Sequence, residues 1–165
     1  MEAELTLARA RDAAVMKPGP RVSVITTAYN AEAFLASTIR RVLAQTFEDL
    51  GDVVVDDGSQ DGTGDVVRRF VAEDPRVRLI QHTNRGLAAS RNAGIRGARG
   101  ELIAFLDHDD AWHPQKLALQ VALLDANPEA GVASCYSAVT GADGAYLGWR
   151  FGGRSPGGSD HDNLR

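Results

Sequence analysis

From Val22 onward the chain alternates between two hydrophobic patterns. Short β-branched or apolar runs read as buried strands: Val22-Ser23-Val24-Ile25-Thr26, Asp52-Val53-Val54-Val55, Val77-Arg78-Leu79-Ile80 and Glu101 to Leu106. Between them, apolar positions recur at helical spacing. Residues 31–46 place Phe34, Leu35, Ile39, Val42 and Leu43 on one face, with Asn30 where an N-cap is wanted and Glu32 favoured by the helix dipole. Residues 63–73 turn Val66, Val67, Phe70 and Val71 inward, and residues 86–98 read as a helix of small side chains. Residues 115–126 turn Leu117, Val121 and Leu124 inward, with Pro114 suited to the first turn. Gly131 to Tyr136 reads as a fifth strand. Strands and helices alternating in this way predict right-handed crossovers and a mostly parallel sheet with helices on both faces, an α/β fold.

The ends break the alternation. Residues 1–20 read as a leader or tail, 21–136 as the domain, and 137–165 as a Gly-rich flexible segment carrying Gly141, Gly144, Gly148, Gly152, Gly153, Gly157 and Gly158. At 165 residues the chain is long enough for one domain and short for two. Eighteen Lys and Arg against 22 Asp and Glu give a net charge of −4, which argues against a nucleic-acid footprint. The single cysteine, Cys135, excludes an internal disulfide and a cysteine-built zinc site, and reads as a buried small residue. No apolar run approaches the roughly 18 residues of a membrane span, and the first twenty residues lack a signal-peptide pattern. A reduced, cytoplasmic setting is the expectation.

In open α/β sheets, ligands bind beyond the carboxyl ends of the strands, so the residues there carry the candidate chemistry. They are Thr27-Ala28-Tyr29-Asn30, Asp56-Asp57-Gly58-Ser59, His82-Thr83-Asn84-Arg85-Gly86 and Asp107-His108-Asp109-Asp110. Crowded carboxylates repel one another and call for a cation, either a metal or an arginine. Asp107 and Asp109, two apart, can face one small volume, and hard oxygen donors with open positions suit Mg²⁺ or Mn²⁺ bound jointly with a diphosphate. Asp61 is placed to cap the second helix, which leaves Asp56 and Asp57 free to meet a nucleobase N–H or a ribose hydroxyl. Tyr29 offers a stacking face or belongs to core or rim. Arg85 and Arg91 balance the acids, meet phosphate or decorate a helix surface. His108 and His113 have no partner at metal-ligand spacing and read as structural or solvated. A P-loop, a GxGxxG after the first strand and a GxSxG elbow are all missing, which disfavours a P-loop NTPase, a dinucleotide oxidoreductase and an α/β-hydrolase.

Five separated segments together resemble one family. VSVITTAYNAEAFLASTIRRVLAQTF, VVVDDGSQDGT, NRGLAASRNAGI, ARGELIAFLDHDDAWHPQKL and QVALLDANPEAGV follow the order seen in family 2 glycosyltransferases, over roughly residues 21–134. The resemblance implies the GT-A fold and a nucleotide-diphosphate-sugar donor, UDP- or TDP-linked. It also implies inverting transfer to an unknown hydroxyl acceptor, of the kind that builds bacterial polysaccharide and cell-surface glycans. By the family pattern, Thr27 and Tyr29 would line the base pocket and Asp57 would bind the uracil edge. Asp107 would sit near the ribose or donor sugar, Asp109 would hold the divalent metal, and Arg91 or Arg85 would approach the nucleotide. Asn30 and Asp56 would brace the loops. The chain departs from the family in carrying Thr27 where many members have proline. The family's general base is a carboxylate supplied after the nucleotide-binding half, and nothing after Tyr136 repeats that region. The expectation is therefore a donor-binding half, with a non-catalytic sugar-nucleotide-binding module as the alternative. A receiver-like signalling domain is disfavoured because the only lysines, Lys17 and Lys116, stand at no later strand end.

Overall fold

A computed structural model describes residues 19–141 and 145–150. The chain divides after Ala122 into two compact units. In the first, four strands form one parallel sheet: β1 (Val22–Ala28), β2 (Leu50–Asp56), β3 (Val77–Gln81) and β4 (Leu102–Asp107), in the order β3-β2-β1-β4. Helices α1 (Glu32–Leu43), α2 (Thr63–Glu73) and α3 (Leu87–Gly97) connect them in turn, and α4 (Lys116–Ala126) follows β4.

The two faces of the sheet bury alternate residues, as a period of two requires. On one face, Val22, Val24, Leu50 and Leu106 pack with Val42 of α1 and Leu117 and Val121 of α4, and Val54 and Val77 pack with Leu35 and Ile39 of α1 and Val67 of α2. The opposite face carries Ile25, Val53 and Val55, with Ala93 of α3 against them. Each fully buried aliphatic side chain contributes about 1.5–3 kcal/mol. Small residues on α3 allow it to lie close to the strands: a Cβ at Gly94 would collide with Ile25. The expected layering, with helices on both faces of a parallel sheet, is observed.

Several local expectations are corrected. Helix α1 begins at Glu32 after Ala31, not at an Asn30 cap; Asn30 instead takes a positive φ of 48°. Phe34 and Val71 are exposed, because the sheet covers only the narrower stripes through Leu35–Ile39–Val42 and Val67. Residues 131–136 form no strand, and Cys135 is exposed. In the second unit the pairing begins later, where β5 (Ser137–Thr140) and β6 (Tyr146–Arg150) form an antiparallel hairpin. The stretch read as Gly-rich and flexible therefore contains a ladder; antiparallel neighbours need only each other, whereas 131–136 has no ladder partner. Residues 1–18 of the leader and the segment 151–165 lie outside the described residues. No helix among the described residues is long and apolar enough to cross a membrane.

Candidate functional site

All four strands are parallel, so their carboxyl ends share one edge. Ala28 is in register with Asp56, Asp56 with Gln81, and Thr27 with Asp107. The chain runs outward from β1 through β2 to β3 and then returns to β4 on the other side of β1. The order reverses between β1 and β4, and that reversal opens the crevice where open sheets bind ligands. Thr27 and Asp107 stand opposite each other across it. The ends of β2 and β4 are two strand spacings apart, about 10 Å, so the Asp57 and Asp109 loops flank the same crevice. A cavity of about 320 Å³ bordered by Ser23, Asp49, Arg78 and Arg99 opens at the other edge, where the strands begin.

The loops after β1 and β2 are tied to each other. Ser59 Oγ accepts the Asn30 amide at 3.0 Å, and Asn30 Oδ1 accepts the Gln60 amide at 2.9 Å. Thr63 Oγ1 accepts the Ala31 amide at 2.8 Å, and Asp61 Oδ2 accepts the Glu32 amide at 3.2 Å. Glu32 returns the favour by accepting the Gly62 amide at 2.9 Å. The start of α1 is thus capped by the loop before α2, and the start of α2 by Glu32 together with its own Asp61. Asp61 also accepts from the Thr63 amide and hydroxyl, and the hydroxyl bond holds its carboxyl below the usual range.

Asp56 and Asp57 are both buried and both engaged. Asp56 accepts the Ser59 amide at 2.9 Å and Gln81 Nε2 at 2.8 Å. Asp57 accepts the Arg85 amide on Oδ1 and the Gly86 amide on Oδ2, each at 2.8 Å. Those amides precede α3, where unpaired N–H groups and the helix dipole favour an anion. The loops also meet by close approach: Gly58 has φ 75°, and a Cβ there would lie 2.5 Å from the Asn84 nitrogen.

The loop after β4 is anchored at both ends and open in the middle. Thr38 Oγ1 donates to the His108 carbonyl at 2.7 Å, and Gln45 Nε2 to the His113 carbonyl at 2.9 Å. Trp112 sits in the core, and the Leu117 amide donates to Gln45 Oε1. Between these anchors Asp109 is exposed and has no described side-chain partner. Asp107 is half-buried and accepts Arg91 Nη2 at 3.0 Å; the same guanidinium lies 5.8 Å from the centre of the Phe105 ring. Thr27 is buried, and Tyr29 is 44% exposed, which places Tyr29 on the rim and not in the core. Arg85 contributes its backbone amide to the Asp57 clamp, and its side chain is exposed. Among the described residues no three His, Cys, Asp or Glu side chains converge as a metal cage.

The model of the family described as "Glycosyl transferase family 2" matches residues 23–155. The chain belongs to that family. Its architecture is the GT-A fold of the family's solved structures. A mannosyltransferase from Pyrobaculum calidifontis, solved in complex with GDP-Man and Mn²⁺, matches with TM-score 0.65 and 32% identity over 76% of this chain and 39% of its own. TarS of S. aureus, solved in complex with UDP, matches with TM-score 0.61 and 26% identity over 73% of this chain and 41% of its own. By sequence, an uncharacterized glycosyltransferase of Nostoc, alr2836, is 38% identical over 74% of this chain and 38% of its own length. The putative teichuronic acid biosynthesis glycosyltransferase TuaG of Bacillus subtilis is 39% identical over 62% and 41%. The chain thus spans about two fifths of these relatives.

Sequence reading singled out Thr27, Tyr29, Asp57, Arg85, Arg91, Asp107 and Asp109, and the fold gathers the segments bearing them at one edge. It missed Thr38 and Gln45, which hold the Asp109 loop, and Ser59 and Thr63, which lock the other loops. These are common polar residues whose partners lie 29 to 72 positions away, and no local pattern marks them.

Proposed function

We propose that this chain is the donor-binding part of an inverting glycosyltransferase that takes a nucleotide-diphosphate sugar, UDP- or TDP-linked, for bacterial polysaccharide or cell-surface glycan synthesis in the cytoplasm. The observation that carries this reading is the Arg91–Asp107 pair at the β1–β4 crevice, beside Thr27 and next to the exposed Asp109 loop. The related mannosyltransferase and TarS were solved with nucleotide-sugar or nucleoside diphosphate, which supports the donor class.

In this reading the Tyr29 ring stacks on the base, and Thr27 lines the pocket beneath it. Asp57 accepts an N–H from the base edge. Asp107, steered by Arg91, accepts from the ribose or the sugar. A single exposed carboxylate with a half-paired neighbour is too few donors for an all-protein cation cage. It suits Mg²⁺ or Mn²⁺, which keep open positions for phosphate oxygens, so Asp109, with Asp107 beside it, would hold such an ion. That ion, when bound, supplies Lewis-acid stabilisation of the charge developing on the leaving diphosphate. Arg91 and Arg85 add fixed positive charge near the same group. The acceptor hydroxyl's proton requires a carboxylate base, and no residue of this chain is assigned that part.

Calorimetric titration of UDP with and without Mn²⁺ tests the reading. Mn²⁺ should tighten UDP binding to the unaltered chain, and Asp109→Asn should remove that dependence while leaving the fold intact. UDP affinity indifferent to Mn²⁺ in both proteins would sink the metal role. No UDP binding at all would sink the donor site. A sugar-nucleotide-binding module without transfer activity would bind alike; hydrolysis of a labelled donor separates the two.

A further inference from the structure

The cavity at the edge where the strands begin is bordered by donors that the protein leaves unspent. It holds about 320 Å³, at the lower end of the range of small-molecule sites, roughly 300–1,000 Å³. Ser23, near the start of β1, borders it and is 1% exposed. Its Oγ accepts the Arg99 amide at 3.1 Å and the Gly100 amide at 2.9 Å. A hydroxyl has two lone pairs and one O–H. Both lone pairs are used here, and the O–H has no acceptor among the described residues. Gly51 stands in register beside Ser23 on β2 and puts no side chain into the space.

The charges around the cavity do not cancel. Arg76 is neutralised by Asp74, with Nη2 2.8 Å from Oδ2, and Glu48 is a second acid near it. Arg78 donates Nη1 to the Gly97 carbonyl at 2.8 Å, at the end of α3, and its other N–H groups have no partner among the described residues. Burial first, and the positive charge of Arg99 second, pull the Arg78 guanidinium below its ordinary value, with no acid to offset them. Arg99 is exposed and forms no ion pair among the described residues. Asp49 is the remaining acid on the rim; it is exposed and pairs with neither arginine.

We propose that this cavity is a second ligand site, for a phosphate-class dianion held by the Arg78 and Arg99 guanidiniums and the Ser23 hydroxyl. A tetrahedral oxyanion accepts the unspent O–H and N–H groups and relieves the repulsion between two guanidiniums, whose forks suit phosphate oxygens. Free phosphate and the phosphoryl end of a small phosphomonoester share this chemistry. The site lies at the opposite edge of the sheet from the crevice: β4 runs between them for six residues, about 20 Å. An anion here therefore leaves the crevice free, and the proposal stands apart from the donor-binding reading.

The test is calorimetric titration of inorganic phosphate into the unaltered chain, Arg99→Ala, Arg99→Lys and Arg85→Ala, at an ionic strength held constant with potassium chloride, with thermal melts of all four. Phosphate should bind the unaltered chain saturably and raise its melting temperature. Arg99→Ala should weaken binding by about tenfold or more, the worth of one charge-assisted hydrogen bond. Because Arg99 is exposed, its phosphate-free melting temperature should stay in place. Arg99→Lys, which keeps the charge without the fork, should fall between the two. Arg85→Ala, at the other edge, should bind phosphate as the unaltered chain does. If Arg99→Ala does not fold, Arg99→Gln carries the same expectation. Glycerol phosphate titrated in parallel separates the sources: tighter binding than inorganic phosphate assigns a phosphomonoester, and equal or weaker binding assigns free phosphate. No saturable binding to the unaltered chain, or equal affinity in Arg99→Ala, overturns the proposal. Loss in Arg85→Ala with Arg99→Ala unchanged also overturns it, and moves the anion to the crevice.

Discussion

The acids that end β2 and β4 are written alike, an apolar run followed by Asp-Asp or Asp-x-Asp-Asp, yet they serve opposite ends. Asp56 and Asp57 are buried, and each carboxylate accepts protein donors on both oxygens. Asp109 is exposed between anchored loop ends, and Asp107 shares one oxygen with Arg91. The first pair fastens the loop after β2 to the end of β3 and the loop that follows it; the second leaves oxygens turned to solvent. Carboxylates at a sheet edge are therefore not equivalent: the neighbouring backbone decides which become joints and which stay available for a ligand. Asp57 is a joint through the Arg85 and Gly86 amides.

A third acid sharpens this contrast. Asp52 is fully buried in β2, accepts the Thr26 hydroxyl at 2.8 Å, and its other oxygen has no described partner. Burial pushes its pKa from 3.8 up to about 7, against the smaller opposing effect of the Thr26 bond. The folded state therefore holds an extra proton between about pH 4 and 7, so stability falls as pH rises through that window and is level on either side. The loss amounts to about 4 kcal/mol across the window. Asp52→Asn should flatten the profile; urea unfolding across this range measures it, and an unchanged slope would clear Asp52 of responsibility.

Asp57→Ala comes next. It orphans the Arg85 and Gly86 amides, and should destabilise the chain by about 3 kcal/mol. Chemical denaturation reads this, and a loss below about 1 kcal/mol would mean that the joint is not made in solution. Tyr29→Ala should weaken UDP binding by about 1–3 kcal/mol if the ring stacks. Because Tyr29 stands on the rim, the ligand-free melting temperature should barely move. The smallest expected effect is on the other side of the comparison: Asp109→Ala should change stability by less than about 0.5 kcal/mol, as exposed substitutions do. Equal destabilisation by Asp57→Ala and Asp109→Ala would erase the distinction between the two clusters.

Much of the fold was legible in the residues. The order and type of β1 through α4 follow from the switch between β-branched runs and helical spacing, since both report local backbone geometry and the face that must be buried. The family motifs located the edge that bears the candidate site. The hairpin of β5 and β6 escaped notice because strands of four and five residues, the second broken by Gly148, have little pattern of their own. The Asn30 cap failed for a related reason: the better acceptors, Thr63 and Asp61, come from another loop.

The sequence by itself determined which segments become strands and helices, and that acids, arginines and a tyrosine cluster at strand ends, because periodicity and turn chemistry act over a few residues. Only the tertiary structure decided that β4 returns beside β1, opening the crevice at Thr27 and Asp107. It alone decided that Asp57 is clasped by the loop after β3 while Asp109 has no side-chain hydrogen bond among the described residues. Those outcomes depend on contacts between distant segments. Hydrogen-bond saturation, which separates a structural carboxylate from an available one, is a property of neighbours in space.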